Sequence, residues 1–282
     1  MQENNVEITG DLFKRIQTID LEMLMEIDRV CRKNNIKYSI MYGTLLGAVR
    51  HGGFIPWDDD CDVVFRRYEY EKFFEACKKD LDTDKFFLQD HRTDSWYLFG
   101  YGKLRRNGTV FKRTGQEHIR QHGGLFIDLF ILDNIPNGNM ARVFNKFELY
   151  LIRQAVNSRI FKKTAYTYPE RIMYNFLDNI PKEELFKKLG RMQKKYNSID
   201  TELSRVYTYS TDTNTRYGYP NSFFDELCEM EFEGHKFLAS KHYRELLYFS
   251  YGPDYMELPP KELRCPHNNA TEISFGDIFD DN

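Results

Sequence analysis

The chain has 282 residues, which is enough for one large or two modest domains and for a sizeable apolar core. Its 40 basic and 43 acidic residues give a net charge of −3, which argues against a surface built to bind a polyanion such as nucleic acid. Hydrophobic residues make up 41% and aromatic residues 16% of the chain, a composition that excludes an intrinsically disordered protein.

The sequence gives no indication of export or membrane insertion. Residues 1–10 are polar and lack the basic and apolar regions of a secretory signal. No apolar stretch approaches the ~20 residues that cross a bilayer. The five cysteines form no C-x-x-C pair, which indicates reduced thiols rather than a disulfide framework or a zinc site. We therefore expect a cytoplasmic protein without a transmembrane segment, and peripheral contact with the inner face of the membrane stays open.

The first predicted elements lead from a helix to an acidic segment. Apolar residues recur every three or four positions through residues 11–31, which predicts an amphipathic helix. Residues 37–41 favour a strand, and residues 44–49 follow as a short helix whose amino end can face an anion. A loop at 52–57 then leads to the acidic run at 58–62 and to a buried strand at 63–65.

The remaining chain predicts a sheet and then a helical region. An aromatic stripe predicts a helix over 67–79. The segments at 86–89, 96–104, 110–111 and 124–132 are predicted as the remaining strands of one sheet. Beyond residue 136 helical periodicity returns in three segments, and residues 223–232 and 236–238 predict a hairpin before a last helix near Tyr243.

These elements predict an α+β fold, with a mixed β-sheet flanked by helices and an additional helical module. We expect residues 1–35 to form a helix that packs on the core and residues 36–136 to form the catalytic core. Residues 137–220 are predicted as the helical module, and residues 221–282 as strands and a helix that return to the core.

The most informative segment runs from Gly43 to Asp62. Asp60 and Asp62 are two positions apart, so on a strand their carboxylates point to the same side and repel unless a cation lies between them. Mg²⁺ favours oxygen ligands and is commonly shared between carboxylates and substrate phosphates. Gly43 lets a phosphate approach the backbone, and Thr44 offers a hydroxyl at a helix amino end. This pattern predicts a site for a divalent metal and a phosphate.

A third carboxylate, Asp128, lies in the apolar run at 126–130, where burying an unpaired charge would cost several kcal/mol. If its strand lies beside the strand of Asp60 and Asp62, three carboxylates converge on a site for one or two metal ions. Taken alone, an acidic run is more often a solvated loop, and a Gly-Thr pair is more often a turn. The combination of all three features in this order is what indicates chemistry.

Residues 42–64 closely resemble the signature of the LicD family, the phosphocholine transferases related to fukutin and the fukutin-related protein. Gly43-Thr44, Asp60-Cys61-Asp62 and Asp128 also fit the looser pattern of the nucleotidyltransferase superfamily, with Cys61 where an aliphatic residue is more usual. Further resemblance lies at 101–105, 124–133 and 251–260, so it extends from about residue 36 to residue 267.

The resemblance implies a nucleotidyltransferase-like fold with Mg²⁺ as the cofactor, or Mn²⁺ in its place. It implies transfer of phosphocholine, or a related phospho-alditol, from CDP-choline or another CDP-linked donor to a hydroxyl of a cell-surface glycan, with release of CMP. The acceptor on this interpretation is a lipopolysaccharide, a teichoic acid or a precursor, lipid-linked or not, and no nucleic acid takes part.

The resemblance also suggests roles for individual residues. Asp60, Asp62 and Asp128 are the predicted metal ligands and catalytic residues, and Asp128 has the alternative role of a base for the acceptor hydroxyl. The candidates for binding the donor nucleotide and its phosphates are Gly43, Thr44, Arg50, Lys103 and Arg105. The candidates for contacting choline, as an aromatic cage, or the rest of the substrate are Trp57, Trp96, Tyr97, Tyr101, His51 and His267.

Two other functions stay open on the sequence. One is a catalytically silent module that keeps the fold to bind a nucleotide, although the intact set of three aspartates argues against it. The other is a true nucleotidyltransferase, for which the mildly acidic charge argues against a long RNA as the acceptor.

Overall fold

The computed structural model of the protein describes residues 5–165, 167–209 and 217–280. Its helices are α1 (Asp11–Lys33), α2 (Tyr42–His51), α3 (Arg67–Asp80), α4 (Asn139–Val156), α5 (Ser158–Thr164), α6 (Tyr168–Asp178), α7 (Lys182–Asn197) and α8 (Tyr243–Tyr251). Its strands are β1 (Ser39–Ile40), β2 (Asp62–Arg66), β3 (Phe86–Gln89), β4 (Gly102–Arg106), β5 (Val110–Arg113), β6 (Phe126–Asn134), β7 (Leu203–Val206), β8 (Tyr219–Pro220), β9 (Leu227–Phe232), β10 (His235–Ser240) and β11 (Ala270–Ser274).

A mixed sheet organises the core, which confirms the predicted α+β class. Its main path runs β1-β2-β6-β4-β3, and β7 and β8 extend it beyond the carboxyl end of β6. Only β2 and β6 are parallel among these pairs, and they are the two central strands. β6 is buried along its length up to Asp133, because both of its edges are paired and both of its faces are covered. This explains the nearly continuous apolar run in its sequence.

Two of the strand predictions are wrong. β5 does not join the main sheet, because it pairs with β11 in a separate two-stranded sheet. Residues 96–101 form no strand. The side chain of Asp94 accepts a hydrogen bond from the amide of Trp96 at 2.9 Å, and the backbone oxygen of Asp94 accepts one from the amide of Tyr97 at 3.1 Å. These bonds close a turn in which the following aromatic rings pack on one another.

The carboxyl-terminal hairpin is confirmed. β9 and β10 pair antiparallel around a two-residue turn of Glu233 and Gly234. Both turn residues have positive φ angles, 50° and 74°, which suits the right-handed twist of the flanking strands. The tip of this hairpin contacts the loop before the acidic run, because Glu233 accepts a hydrogen bond from the amide of Phe54 at 2.9 Å.

The apolar residues form two clusters. The larger one fills the space between the main sheet and helices α1, α2 and α3. The smaller one lies among α4, α7 and the end of β7, around Leu149, Ile152, Leu189 and Tyr207. The helical module expected over residues 137–220 stays a prediction, and residues 166 and 210–216 of that range lie outside the described residues. None of the described helices has the length and apolar character needed to span a bilayer.

Candidate active site

The two central strands bring the predicted carboxylates together. Asp62 on β2 stands directly opposite Asp128 on β6 in the parallel register, which confirms that their strands are neighbours. β2 begins at Asp62, so Asp60 lies in the loop before it and does not share the strand as the sequence predicted. The side chain of Asn268 donates a hydrogen bond to Asp60 at 3.1 Å, which holds this carboxylate against the carboxyl-terminal segment.

The loop before β2 is an acidic cluster. Carboxylate oxygens of Asp58, Asp59 and Asp60 lie within 4.8 Å of one another. Asp59 accepts hydrogen bonds from the backbone amides of His267 at 2.8 Å and Asn268 at 3.2 Å. Since Asp58 and Asp59 are both buried, this loop is not the solvated acidic turn that such a sequence usually forms.

Burial and mutual repulsion raise the pKa values of Asp58, Asp59 and Asp62. For Asp59 the loss of solvation comes first and the charge of Asp60 second, and together they raise its pKa to about 6. The pKa of Asp58 lies well above its usual value for the same two reasons. Loss of solvation, with the charges of Asp60 and Asp128, raises the pKa of Asp62 as well. The cluster therefore holds more negative charge than its surroundings compensate.

Asp20 is a carboxylate that the sequence analysis missed. It lies on α1, is only 1% exposed, and its pKa is raised well above the usual value by burial and then by the charges of Asp60, Asp59 and Asp58. A signal existed in the sequence, because Asp20 falls between Ile16, Ile19 and Met23 on the apolar face of this helix. Asp is rarely buried without a partner, so an Asp on the buried face of a helix suggests a specific role.

The start of α2 fixes the other side of the cluster. The hydroxyl of Thr44 accepts a hydrogen bond from the amide of Asp62 at 2.8 Å, and the amide of Met41 donates to the backbone oxygen of Asp62 at 3.0 Å. Tyr42 has a φ of 48°, a left-handed conformation that costs a non-glycine residue about 1–2 kcal/mol. At Gly43 a Cβ atom would lie 2.4 Å from Oδ2 of Asp58, so only glycine fits this close approach.

Positive charge lies on the opposite side of Asp128. Lys103 on β4 stands opposite Asp128 in the antiparallel register and forms an ion pair with its carboxylate. Burial lowers the pKa of Lys103 to about 7, although the charge of Asp128 acts in the other direction. Arg105 is buried and donates hydrogen bonds to Gln89 at 2.7 Å and to the backbone oxygen of Gly124 at 2.6 Å. Arg105 therefore stabilises this part of the sheet through its hydrogen bonds and also adds positive charge there.

Arg113 is a second residue that the sequence analysis missed. Its guanidinium group lies 5.8 Å from the ring centre of Phe126, which also contacts the ammonium group of Lys103 at 3.5 Å. The positive charge of Arg113 contributes to the lowered pKa of Lys103. No local sequence signal marked this residue, because its place beside Phe126 depends on how β5 packs, through β11 and through a hydrogen bond from the amide of Phe111 to the backbone oxygen of Gly123 at 2.6 Å.

An aromatic wall adjoins these charges. The ring centres of Tyr101 and Phe130 are 5.1 Å apart, and Tyr209 lies 6.0 Å from Tyr101 and 4.9 Å from Phe130. Tyr209 is 43% exposed, whereas Tyr101 is buried and Tyr97 behind it is fully buried. Burial, with the charges of Asp62 and Asp128, raises the pKa of Tyr209 to about 12. Tyr209 is therefore the accessible ring of this wall, and the sequence analysis missed it.

The structure does not bring all predicted site residues together. The ring of Trp96 packs under two guanidinium groups, with Arg120 at 5.8 Å and Arg159 at 5.5 Å, rather than against Tyr97 or Tyr101. Arg50 donates hydrogen bonds to the backbone oxygens of Tyr255 at 3.1 Å and Glu257 at 2.9 Å. Its guanidinium group thus anchors the carboxyl-terminal segment beside α2.

The remaining candidates form a small cluster at the acidic loop. The rings of Trp57 and His51 meet edge to face at 6.2 Å, and the guanidinium group of Arg264 lies 5.2 Å from the Trp57 ring. The imidazole of His267 is 3.5 Å from Oδ1 of Asp58. These residues lie beside the acidic run, and Arg264 was not anticipated from the sequence.

The donor set of the cluster fits a divalent cation. Among the described residues, Oδ2 of Asp20 and Oδ1 of Asp58 are buried without a hydrogen-bond partner. All the grouped ligand atoms are carboxylate oxygens, which suit Mg²⁺ or Mn²⁺. Asp58, Asp60, Asp62 and Asp128 are the side chains that could hold such an ion beside a substrate phosphate.

Comparison with known proteins agrees with this geometry. The family described as LicD/FKTN/FKRP, nucleotidyltransferase domain, matches residues 35–171. These residues form a LicD-family domain. The match includes α2, the acidic loop, β2, β4 and β6, and so it contains most of the residues around Asp128. The resemblance stated from the sequence is confirmed.

Relatives extend the similarity beyond this LicD-family domain. The lipopolysaccharide cholinephosphotransferase LicD of Haemophilus influenzae is 28% identical over 89% of this chain and 94% of its own length. An uncharacterized protein of Rickettsia prowazekii is 38% identical over 21% of this chain and 29% of its own. Another from Rickettsia typhi is 55% identical over 15% of this chain and 14% of its own.

Proposed function

We propose that this protein is a metal-dependent phosphotransferase. It moves phosphocholine from CDP-choline, or a related phospho-alditol from another CDP-linked donor, to a hydroxyl of a cell-surface glycan or its precursor, and it releases CMP. The observation that carries the proposal is the pairing of Asp62 with Asp128, with Lys103 on the adjacent strand. The name of the Haemophilus influenzae relative, a lipopolysaccharide cholinephosphotransferase, supports the class of donor and acceptor.

The proposed reaction is an in-line displacement at phosphorus. The acceptor hydroxyl attacks the phosphorus that carries choline, the bond from that phosphorus to the bridging oxygen breaks, and CMP leaves. Such transfers depend mainly on positioning and on neutralising charge at the non-bridging oxygens. Asp128 takes the proton of the hydroxyl, and Lys103 holds this carboxylate in place through their ion pair.

Different groups around Asp128 contribute separately to binding the donor. Asp60 and Asp62 would hold Mg²⁺, which would supply neutralising charge to the diphosphate. Arg113 supplies a positive charge on the side of β5, since its guanidinium group lies 5.8 Å from the centre of the Phe126 ring, which Lys103 also contacts. Thr44 keeps the backbone of Asp62 in register through its hydrogen bond.

The aromatic wall suits a trimethylammonium head group. A quaternary ammonium cannot donate hydrogen bonds and is recognised by aromatic faces, which contribute about 0.5–2 kcal/mol. Tyr209 is exposed enough to meet it, with Tyr101 and Phe130 behind. Tyr97 is fully buried, and Trp96 lies under arginine side chains. Of the aromatic residues predicted at 96–101, Tyr101 therefore stays in the proposed choline site, and Tyr209 is added to it.

The test is an assay of donor consumption with a panel of nucleotides. The protein is incubated with Mg²⁺, a glycan acceptor preparation and CDP-choline, CDP-ribitol, CDP-glycerol or CTP, and the release of CMP and of pyrophosphate is measured. We expect CMP from CDP-choline. Release of pyrophosphate from CTP would instead indicate a true nucleotidyltransferase, and nucleotide binding without turnover of any donor would indicate a silent binding module.

A pair of variants tests the head-group assignment. Tyr209→Ala should weaken the binding of CDP-choline by about tenfold or more while the affinity for CMP stays nearly constant, because CMP lacks the head group. Trp96→Ala is the matched control and should change neither affinity. Equal losses for CMP and CDP-choline in Tyr209→Ala, measured by isothermal titration calorimetry, would contradict the aromatic wall as the choline site.

A further inference from the structure

Helix α4 exposes an apolar stripe to the outside of the molecule. The residues of the stripe follow one another at spacings of three, one, three and four, which keeps them within about 100° of one helical face. Their exposed fractions range from 43% to 75%. The stripe consists of Met140, Val143, Phe144, Phe147 and Leu151.

The opposite face of α4 is the one that packs in the core. Leu149 and Ile152 are 1% and 2% exposed, and they pack in the smaller apolar cluster with α7. The exposed stripe is therefore not needed to attach α4 to the molecule. A helix of a soluble module normally carries polar residues at such positions.

Helix α6 carries a second exposed apolar stripe. Tyr168, Ile172 and Phe176 are 77%, 55% and 72% exposed at spacings of four, and no residue of α6 is buried. The hydroxyl of Tyr174 on α6 donates a hydrogen bond to Gln154 of α4 at 2.9 Å, so the two helices are direct neighbours. We call the exposed stripes of α4 and α6 together the α4–α6 face.

Eight exposed apolar side chains on two neighbouring helices require an explanation. Single exposed apolar side chains are ordinary, but contiguous apolar patches beyond a few hundred Å² mark sites of interaction.

The charge around the α4–α6 face distinguishes it from the rest of the chain. Residues 139–178 carry seven Lys and Arg against three Asp and Glu, although the whole chain has a net charge of −3. Lys146, Lys163 and Arg171 are exposed. Of the three acidic residues, Asp178 is paired with Arg159 at 3.1 Å and also with Lys162.

We propose that the α4–α6 face docks on a bilayer surface that contains anionic lipid. Helices with an apolar stripe and basic flanks lie in the plane of the interface, with their apolar side chains among the upper acyl chains. Lys146, Lys163 and Arg171 are attracted to the negative surface potential. A second copy of the chain fits less well, because an isologous contact would bring two surfaces of the same positive charge together.

The test is vesicle flotation of the full chain, and it does not depend on the transfer reaction. The protein is mixed with phosphatidylcholine vesicles that contain either no phosphatidylglycerol or one quarter phosphatidylglycerol. We expect the protein to float with the anionic vesicles, and the bound fraction to fall at high salt. Phe144→Glu/Phe147→Glu should lower the partition coefficient at least tenfold, and Lys146→Glu/Lys163→Glu should lower it on anionic vesicles.

The matched control is Tyr68→Glu/Ile199→Glu, which makes the same change of charge at residues that are 69% and 50% exposed outside the face. It should float like the unaltered protein, and circular dichroism should show that all three double variants are folded. Flotation of Phe144→Glu/Phe147→Glu equal to that of the unaltered protein would overturn the proposal. So would failure of the unaltered protein to float, and self-association abolished by the same variant would then assign the face to a second copy.

Discussion

The carboxylates of Asp60, Asp62 and Asp128 converge in a region where water solvates negative charge poorly. Such an arrangement is costly unless the carboxylates act in the reaction, so each one should be required for turnover. We expect Asp60→Asn, Asp62→Asn and Asp128→Asn each to lower turnover by at least about 10²-fold, the usual effect of removing a positioned catalytic or charge-stabilising group. The measurement is the rate of CMP release from CDP-choline at saturating Mg²⁺.

The control for these variants is Asp225→Asn. Asp225 pairs with Arg66 at 2.8 Å at the surface, and its side chain is 66% exposed, so its loss should leave turnover unchanged. Thermal unfolding must show that every variant is folded. Turnover close to that of the unaltered protein in one of the three site variants would show that its assigned role is wrong.

Gly43 should tolerate no side chain. Because its Cβ would lie 2.4 Å from Oδ2 of Asp58, Gly43→Ala must displace a carboxylate of the acidic loop. We expect this variant to need at least about tenfold more Mg²⁺ for half-maximal activity, since even small displacements of a metal ligand weaken binding.

Gly190→Ala is the matched control for this prediction. Gly190 lies in α7, and apart from its own stretch of helix nothing lies within 4 Å of the position of its Cβ, so alanine should be neutral or slightly stabilising there. An unchanged Mg²⁺ requirement in Gly43→Ala would mean that Asp58 does not contribute to the metal site.

At the scale of elements, Asp133 joins the main sheet to the helical module. It lies near the end of β6, is 1% exposed, and pairs with Arg67 of α3 at 2.8 Å. It also accepts hydrogen bonds from Gln193 at 3.1 Å and Asn197 at 2.7 Å, both on α7. One carboxylate thus joins three elements.

We therefore expect Asp133→Ala to lower the free energy of unfolding by about 3–5 kcal/mol, because it leaves the partly buried guanidinium of Arg67 without its main partner. Denaturant unfolding measures this loss, and hydrogen exchange should accelerate in α7 more than in α1. Asp225→Ala, which removes an exposed pair, should cost no more than about 1 kcal/mol. If Asp133→Ala lowered the free energy of unfolding by no more than about 1 kcal/mol, Asp133 would not join the sheet to the helical module in the way described.

The elements that local patterns specify were predictable from the sequence. The spacing in α1, the apolar run of β6 and the turn between β9 and β10 each leave a signal within a few residues. The pairing of β5 with β11 was not predictable, because both strands are short and their partners are far apart in sequence. The aromatic segment at 96–101 resembles a strand in composition, but the turn at Asp94 prevents it from forming one.

The same distinction applies to the site. Asp60, Asp62, Asp128 and Gly43 stand in a recognisable order along the chain, and the structure brings them together. Tyr209, Arg113 and Asn268 reach the site from elements without such a pattern, and only tertiary packing places them there.

At the scale of the whole molecule, the acidic cluster should make stability depend on pH and on metal together. A carboxyl group whose pKa is raised on folding, as for Asp59 from 3.8 to about 6, destabilises the fold when it ionises. The penalty is absent below about pH 4, grows as the pH rises, and is complete above about pH 6, where it amounts to at most about 3 kcal/mol.

In EDTA we therefore expect Asp59→Asn to gain stability relative to the unaltered protein between pH 4.5 and pH 7.5, since the Oδ1 that Asn retains accepts from the amides of both His267 at 2.8 Å and Asn268 at 3.3 Å. Mg²⁺ should raise the melting temperature of the unaltered protein more at pH 7.5 than at pH 4.5. Calorimetric scans in both conditions measure these differences. A metal effect that is the same at both pH values would contradict the uncompensated charge of the cluster.

The contact between the acidic loop and residues 267–268 also has a consequence for synthesis. The ribosome releases Asp59 and Asp60 long before it releases Asn268, whose amide and side chain later bind them. Until then the aspartates of the acidic loop lack the hydrogen-bond donors of residues 267–268. β5 likewise has no partner strand until β11 has been synthesised. The site is therefore assembled late in translation, and a nascent chain arrested before residue 267 should have a folded helix α1 but no ordered acidic loop.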